Sequence, residues 1–285
     1  MQPGGVRSRA TGSPGLAALT DQPRYRELAR RYGPVVADSG TCGCHVHVGV
    51  PSRDLGVQVL ARLRPWLAPL LAVTANSPIA DGRDTAWAAG GTSSTHAGRR
   101  RRRLRCGRTR SATTRPSAAS SRRALRWTSA ASYVLVRLSP RYPTVEVRVA
   151  DVCLDVGTAV LVAGLTRALV ATALAEARQH APLPAAPARH VNAALAAAAR
   201  HGLSGPAIDS FTGQPASARS VRSRLIDHLY PALSDHGDGP IITGLLRRLD
   251  QDGTGADRQR ALFASGLPPP RFVQALARAT LSHNM

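Results

Sequence analysis

Ten residues, Thr41–Val50 (TCGCHVHVGV), constrain this chain more than any other stretch. Their period of two is that of a β-strand, which sends alternate side chains to opposite faces. Cys42, Cys44, Val46, Val48 and Val50 fall on one face, which is apolar, and Gly43, His45, His47 and Gly49 on the other. The sequence therefore predicts a strand with its back in a core and two imidazoles on an open polar floor. A second segment, VLVRLSPRYPTVEVRVAD from Tyr133 onward, reads as two strands around a Ser-Pro-Arg turn. In its second strand Val145, Val147 and Val149 face one way, and Glu146 and Arg148 the other.

Metal ligation and phosphate contact both need two imidazoles on one face, and a structural histidine pair stays open beside them. A zinc site of Cys42, Cys44, His45 and His47 fails, because alternation sends cysteines and histidines to opposite faces. Cys42 and Cys44 read instead as core residues. Glu146 and Arg148 are either a solvated ion pair or a Mg²⁺ carboxylate beside an oxyanion-clamping guanidinium. Asp151 and Asp155 precede a helix and read as N-caps.

Around these strands the pattern is mostly helical. Residues 1–20 read as disordered, and Pro23–Tyr32 as a short amphipathic helix. Asp54–Val73 reads as a helix that Pro65 and Pro69 kink or divide. The loop ANSPIADGRDT follows. Further helices are predicted over about 157–179, 189–200, 217–230, 241–251, 257–265 and 269–281, with a Pro/Ala linker at 181–188 and a loop, LSGPAIDSFTGQPAS, before the third. Strands early and helices late predict an α+β fold with helices packed on an antiparallel sheet. Residues 21–285 are expected to form a single domain whose part from 189 onward is helical.

The formal net charge of +21 comes from 38 basic residues, all Arg. Twelve of them lie in residues 99–126, and no acid occurs between Asp84 and Glu146. Taken at face value, such a run is either solvated charge or a nucleic-acid contact. Four unevenly spaced cysteines do not suggest a disulfide framework. No signal-peptide pattern opens the chain, and the apolar run Val156–Ala175 carries Arg167. The expectation is a cytoplasmic protein without a membrane partner.

Three ordered motifs carry a resemblance: CGCHVHVGVPSRD, LRPWLAPLLAVTANSPIADGRDTAWA and RLSPRYPTVEVRVADVC. With the tail GTGADRQRALF they resemble the type 2 glutamate–cysteine ligases, in particular their bacterial carboxylate–amine ligase subfamily, over roughly residues 18–88 and 133–281. The resemblance implies a glutamine-synthetase-like antiparallel sheet flanked by helices. It implies ATP-driven amide formation between the glutamate γ-carboxylate and the cysteine amine through an acyl phosphate, with ATP and Mg²⁺ as cofactors. Glutamate with cysteine or another amine would be the substrates, nucleic acid is not expected as a partner, and a homo-oligomer is left open. Residue by residue, His45 and His47 would contact ATP phosphates or metal, with Glu146 a metal carboxylate and His45 a second metal ligand. Arg148 and Arg141 would be the catalytic clamps. Asn76, Ser77 and Asp84 would line the substrate loop among the nucleotide-binding residues.

Two departures from that family shape the expectations. The resemblance implies a Glu-rich strand ahead of the first motif, yet Glu27 is the only Glu before Glu146. The sheet is therefore expected to be incomplete at its N-terminal side, and little ligase activity is expected of the chain. The family continues after DTAWA with an Arg-Arg-Tyr and Arg-Trp-Pro segment, where this chain has AGGTSSTHAGRRR. Back-translated and read from the third codon base, that stretch can give R-R-Y-L-V-H-x-(Arg or Cys)-W. Residues from about 89 to 132 are therefore expected to be an out-of-frame translation, which leaves the Arg run without an evolved role. Two other classes stay open beside the ligase: a metal-dependent hydrolase using His-x-His, and an Arg-rich nucleic-acid-binding protein.

Overall fold

A computed structural model of the chain describes residues 26, 27, 30, 42–90 and 135–281. The expected disorder of residues 1–20 and the Arg run at 99–126 both lie outside the described residues. Of the helix predicted over Pro23–Tyr32, Arg26, Glu27 and Arg30 are described and helical, and Arg30 pairs with Glu27 at 2.7 Å.

Among the described residues the principal sheet has three antiparallel strands. In space β1 (Gly43–Gly49) and β4 (Val136–Leu138) flank β5 (Thr144–Asp151), as the hairpin reading of the second motif predicts. Two short strands, β2 (Ile79–Ala80) and β3 (Arg83–Asp84), form a hairpin in the loop expected after residue 73. The back of the principal sheet is apolar: Val136, Leu138, Val145, Val147 and Val149 are all buried. Helices α1 (Arg53–Leu63), α2 (Leu67–Val73) and α3 (Val156–Arg178) cover it. Leu60, Leu63, Leu70, Leu71, Leu161, Leu165 and Leu169 fill the space between, and each such side chain contributes about 1.5–3 kcal/mol by leaving water.

Proline divides the predicted 54–73 helix. Pro65 sits in a 3₁₀ turn, Arg64–Trp66, that separates α1 from α2. Pro69 falls in the first turn of α2, where a missing N–H breaks no helical bond. α3 starts at Asp155, whose Oδ1 accepts from the Thr158 amide at 2.7 Å. Asp151 does not cap α3; it lies inside β5 and its carboxylate is used elsewhere. By length and composition α3 could cross a membrane, but in this fold α1 and two later helices, Ala218–Asp235 and Gly239–Asp252, pack on it.

The C-terminal third is mainly helical as predicted: α4 (Ala188–His201), α5 (Ala218–Asp235), α6 (Gly239–Asp252), α7 (Gly255–Ala264) and α8 (Pro269–Leu281). α4 ends at Gly202, whose φ of 59° suits glycine. The loop expected between α4 and α5 contains a hairpin, β6 (Pro206–Ile208) with β7 (Pro215–Ser217). Its two prolines disguise the strands, since proline is tolerated only where no ladder N–H is needed.

The cysteines correct the core expectation in part. Cys42 is exposed and Cys44 half-buried against Ala150, Cys153 and Val162. β1 is the outer strand among the described residues; α3 covers part of its apolar side, and Val46 and Val48 are likewise half-buried.

Candidate active site

Strand register builds the front of the sheet. His47 on β1, Glu146 on β5 and Arg137 on β4 lie in one row across all three strands. The register slips by one between Cys44 and Val46, so that His45 stands opposite two β5 residues, Arg148 and Val149. Such a bulge re-aims side chains, and here it puts His45 Nδ1 3.2 Å from Arg148 Nη1.

Glu146 is the hub. Its side chain is only 4% exposed, and both oxygens are engaged. Arg137 grips it side-on, with Nε 2.6 Å from Oε2 and Nη2 3.3 Å from Oε1, and Arg148 Nη1 also donates to Oε1. Burial pushes the Glu146 carboxyl up, but hydrogen bonds and charge from the two guanidinium groups outweigh it and hold the pKa below the usual carboxylate range.

The histidines take defined roles. Arginine can only donate, so His45 Nδ1 accepts from Arg148, and the ring proton belongs on Nε2. Burial, followed by the Arg148 charge, lowers the His45 pKa against the opposing pull of Glu146, so the ring is neutral near pH 7. His47 Nδ1 lies 3.0 Å from Thr144 Oγ1, and its ring meets Tyr142 edge-on at 6.4 Å. The floor therefore offers imidazole and guanidinium donors, with one net positive charge over Arg137, Glu146 and Arg148.

This chemistry decides what the floor can hold. Mg²⁺ requires several oxygen ligands at about 2.0–2.1 Å, and no group of three His, Cys, Asp or Glu side chains suited to a metal occurs among the described residues. Two guanidinium groups already occupy the Glu146 carboxylate and would repel a dication. Glu146 and His45, expected as metal ligands, thus do not form a resident metal site in this arrangement. The same residues fit an oxyanion, which Arg and His donors recognise directly. The further ligands that a His-x-His hydrolase needs do not gather around the two imidazoles among the described residues.

The remaining expected residues lie elsewhere. Arg141 is exposed in the β4–β5 turn, its amide 3.3 Å from Ser139 Oγ, next to the Tyr142 that touches His47. Asn76 and Ser77 are 2% and 4% exposed and do not reach the floor. The Asn76 amide and Ser77 Oγ donate to Asp151 Oδ2 at 3.0 and 2.7 Å, and Asn76 Nδ2 donates to the Val152 carbonyl at 2.8 Å. Asp84 is exposed on β3 and paired with Arg260 at 2.9 Å.

These contacts explain the tail motif GTGADRQR. Thr254 and Asp257 form a capping box that starts α7. Gln259 Nε2 then donates to the Asn76 carbonyl and Oδ1 at 2.8 and 2.6 Å, Arg258 pairs with Asp155 at 2.5 Å, and Arg260 holds Asp84. The motif is a lock that fastens α7 to the 76–84 loop and the start of α3. Sequence reasoning noticed the motif without its role. It missed Arg137 altogether, although an Arg between Val136 and Leu138, across a turn from Glu146, was the available signal.

Comparison with known proteins agrees with the resemblance. The profile of glutamate-cysteine ligase family 2 matches residues 5–90 and 98–271. The break between the two spans, residues 91–97, precedes the Arg-rich run at 99–126, which the second span takes in. A Salinispora arenicola protein with the provisional name glutamate–cysteine ligase 2 is 42% identical over 250 residues, covering 86% of this chain and 65% of that protein. Similarly named proteins from Frankia alni and Mycobacterium sp. (strain KMS) are 40% identical over 268 residues and 38% over 276, covering 91% and 93% of this chain and 69% and 73% of their own lengths. The chain thus spans about two-thirds of the length of these relatives. With the profile running through β1, β5 and the α7 lock, the chain belongs to glutamate-cysteine ligase family 2.

Proposed function

We propose that the front of the β1–β5–β4 sheet is the anion-binding floor of an ATP-dependent carboxylate–amine ligase, with the sheet and its backing helices arranged as in glutamine synthetase. In this reading the γ-carboxylate of glutamate attacks the γ-phosphorus of ATP and ADP leaves. The cysteine amine, having lost a proton, then attacks the acyl carbon and expels phosphate. Mg²⁺ arrives as part of the nucleotide substrate, and the reaction takes place in the cytoplasm.

The residues supply positioning and charge. Arg148 and the Nε2–H of His45 donate to oxygens of the polyphosphate or of the developing acyl phosphate, where fixed donors lower the barrier because they need no reorganisation. His47, steadied by Thr144, extends the donor row, and Arg141 approaches the substrate from the turn. Glu146 keeps Arg148 in place.

The observation that carries the reading is the buried Glu146 held between two guanidinium groups on a His-bearing sheet face of a family member. ADP release tests it. Whatever rate this chain supports, release should rise only when glutamate and cysteine are both present and should fall in Arg148→Gln. ADP release indifferent to both substrates would contradict the proposal.

A further inference from the structure

We infer that Arg137 is a further ligand-contacting side chain of the floor, gripping the same oxyanion as Arg148, and that Glu146 is the positioning residue that sets the two guanidinium groups side by side. The inference rests on the floor being an anion site, and adds to it a residue and a division of labour.

The register is the first argument. β4 contributes three residues, and Val136 and Leu138 point into the core, so Arg137 is its one side chain on the front. Pairing places Arg137 directly beside Glu146, as β1 places His47 on its other flank. The row thus reaches from the outer edge of β1 to β4, long enough to meet more than one oxygen of a phosphate.

Charge is the second. One guanidinium suffices to neutralise a buried carboxylate, yet Glu146 has two, at 16% and 17% side-chain exposure above a carboxylate exposed by 4%. As a device for stability alone such a triad is poor, because desolvation of three charges offsets their attraction and apolar residues pack as well. As a device for recognition it is apt: a fixed carboxylate orients two planar forks that match phosphate oxygens. Glu146 accepts from Nε and Nη2 of Arg137, which fixes the plane of that guanidinium as well as its position.

A mutant cycle read by calorimetric titration of the chain with inorganic pyrophosphate tests the inference. Wild type should bind saturably, and Arg148→Gln should weaken binding about tenfold or more, the loss typical of a charge-assisted contact. In Glu146→Gln the carboxylate that fixes the plane of the Arg137 guanidinium is gone. Arg148 lacks its carboxylate in both Glu146→Gln and the double variant with Arg137→Gln, so the difference between the two reads Arg137 alone. If Arg137 touches the anion, the double variant should bind about tenfold or more weaker than Glu146→Gln alone. Equal binding by the two would overturn the inference while leaving the anion floor intact. Arg137→Lys is the second probe: with an unchanged melting temperature it should lose part of the affinity, since the charge remains and the fork is gone, and unchanged affinity would count against the contact. Absence of pyrophosphate binding by wild type, or wild-type binding by Arg148→Gln, would remove the floor reading and this inference with it.

Discussion

Replacing Gly255 with Ala reverses the usual sign of such a change. In a helix interior Gly→Ala ordinarily stabilises by about 0.5–1 kcal/mol, and at the first position of α7 no steric reason internal to the helix opposes it. At Gly255 an added Cβ would stand 2.2 Å from Asn76 Oδ1 and 2.6 Å from its Cγ. Asn76 cannot swing aside, because it is 2% exposed, donates to the Val152 carbonyl at 2.8 Å and accepts from Gln259 at 2.6 Å. Overpacking of this kind costs about 1–3 kcal/mol and each broken hydrogen bond about 1, so Gly255→Ala should destabilise by about 2–4 kcal/mol. Asn76→Ala loses the same bonds and leaves the Val152 carbonyl unpaired, at about 2–3 kcal/mol. The double variant has no Oδ1 to strike, so its loss should fall about 2 kcal/mol short of the sum. Urea unfolding followed by far-UV circular dichroism reads these differences from the midpoint at constant slope. Gly244→Ala in α6, where an added Cβ meets nothing within 4 Å, is the control and should stabilise slightly. Additive losses, or a neutral Gly255→Ala, would refute the lock.

Acidification and chemical modification give further expectations. Burial lowers the pKa of His228, with Glu176 opposing, and burial with Arg148 lowers that of His45, both from an ordinary 6.5. A depressed folded-state pKa means that the unfolded chain binds the proton first, so stability present above about pH 6.5 is lost as pH falls below it through the depressed folded-state values. His228→Gln should flatten part of that slope in urea midpoints, and stability rising on acidification through this window would refute the assignment. Glu146 acts lower: its carboxyl lies below the ordinary 4.5, so its contribution fades only as pH falls through that depressed value. The Cys44 thiol is lowered to about 7 by a hydrogen bond from Cys153 against the opposing effect of burial, while that bond and burial raise Cys153. Iodoacetamide should therefore alkylate Cys44 with a rate that rises through about pH 7 and spare Cys153, whereas faster labelling of Cys153 would contradict the geometry. Resequencing the coding DNA should reveal a compensating pair of frame changes bracketing about residues 89–132; a clean read would sink the out-of-frame explanation of the Arg run.

Strand alternation was legible because each strand has one buried face: His45 and His47, and then Glu146 and Arg148, announced a two-sided sheet. Helix limits followed from punctuation, with Pro65 and Gly202 marking real breaks. What stayed hidden depends on the pairing of distant residues. The bulge opposite His45 exists only when β1 and β5 are aligned, and Arg137 joins the site only through the register of a three-residue strand. Asn76 and Ser77 look like loop polar residues in one dimension, yet α7, about 180 residues later in the chain, reaches back and encloses Asn76. The segment expected to be out of frame was placed from about residue 89, but Ala89 is fully buried and its amide donates to the Ala199 carbonyl at 2.9 Å. Ordinary packing therefore extends through Ala89, in line with a profile match that runs to residue 90.

Imidazole ¹⁵N spectra of the chain during an ATP titration address the central claim, that the His-bearing front of the sheet is where the nucleotide's phosphates bind. Without ligand, His45 should show a neutral ring protonated at Nε2. The His45 and His47 signals should shift together along one saturating curve, while His190 and His236, held by the Phe211 and Ala232 carbonyls, stay still. Unmoved His45 and His47 signals at saturating ATP, or shifts confined to His190 and His236, would contradict the account.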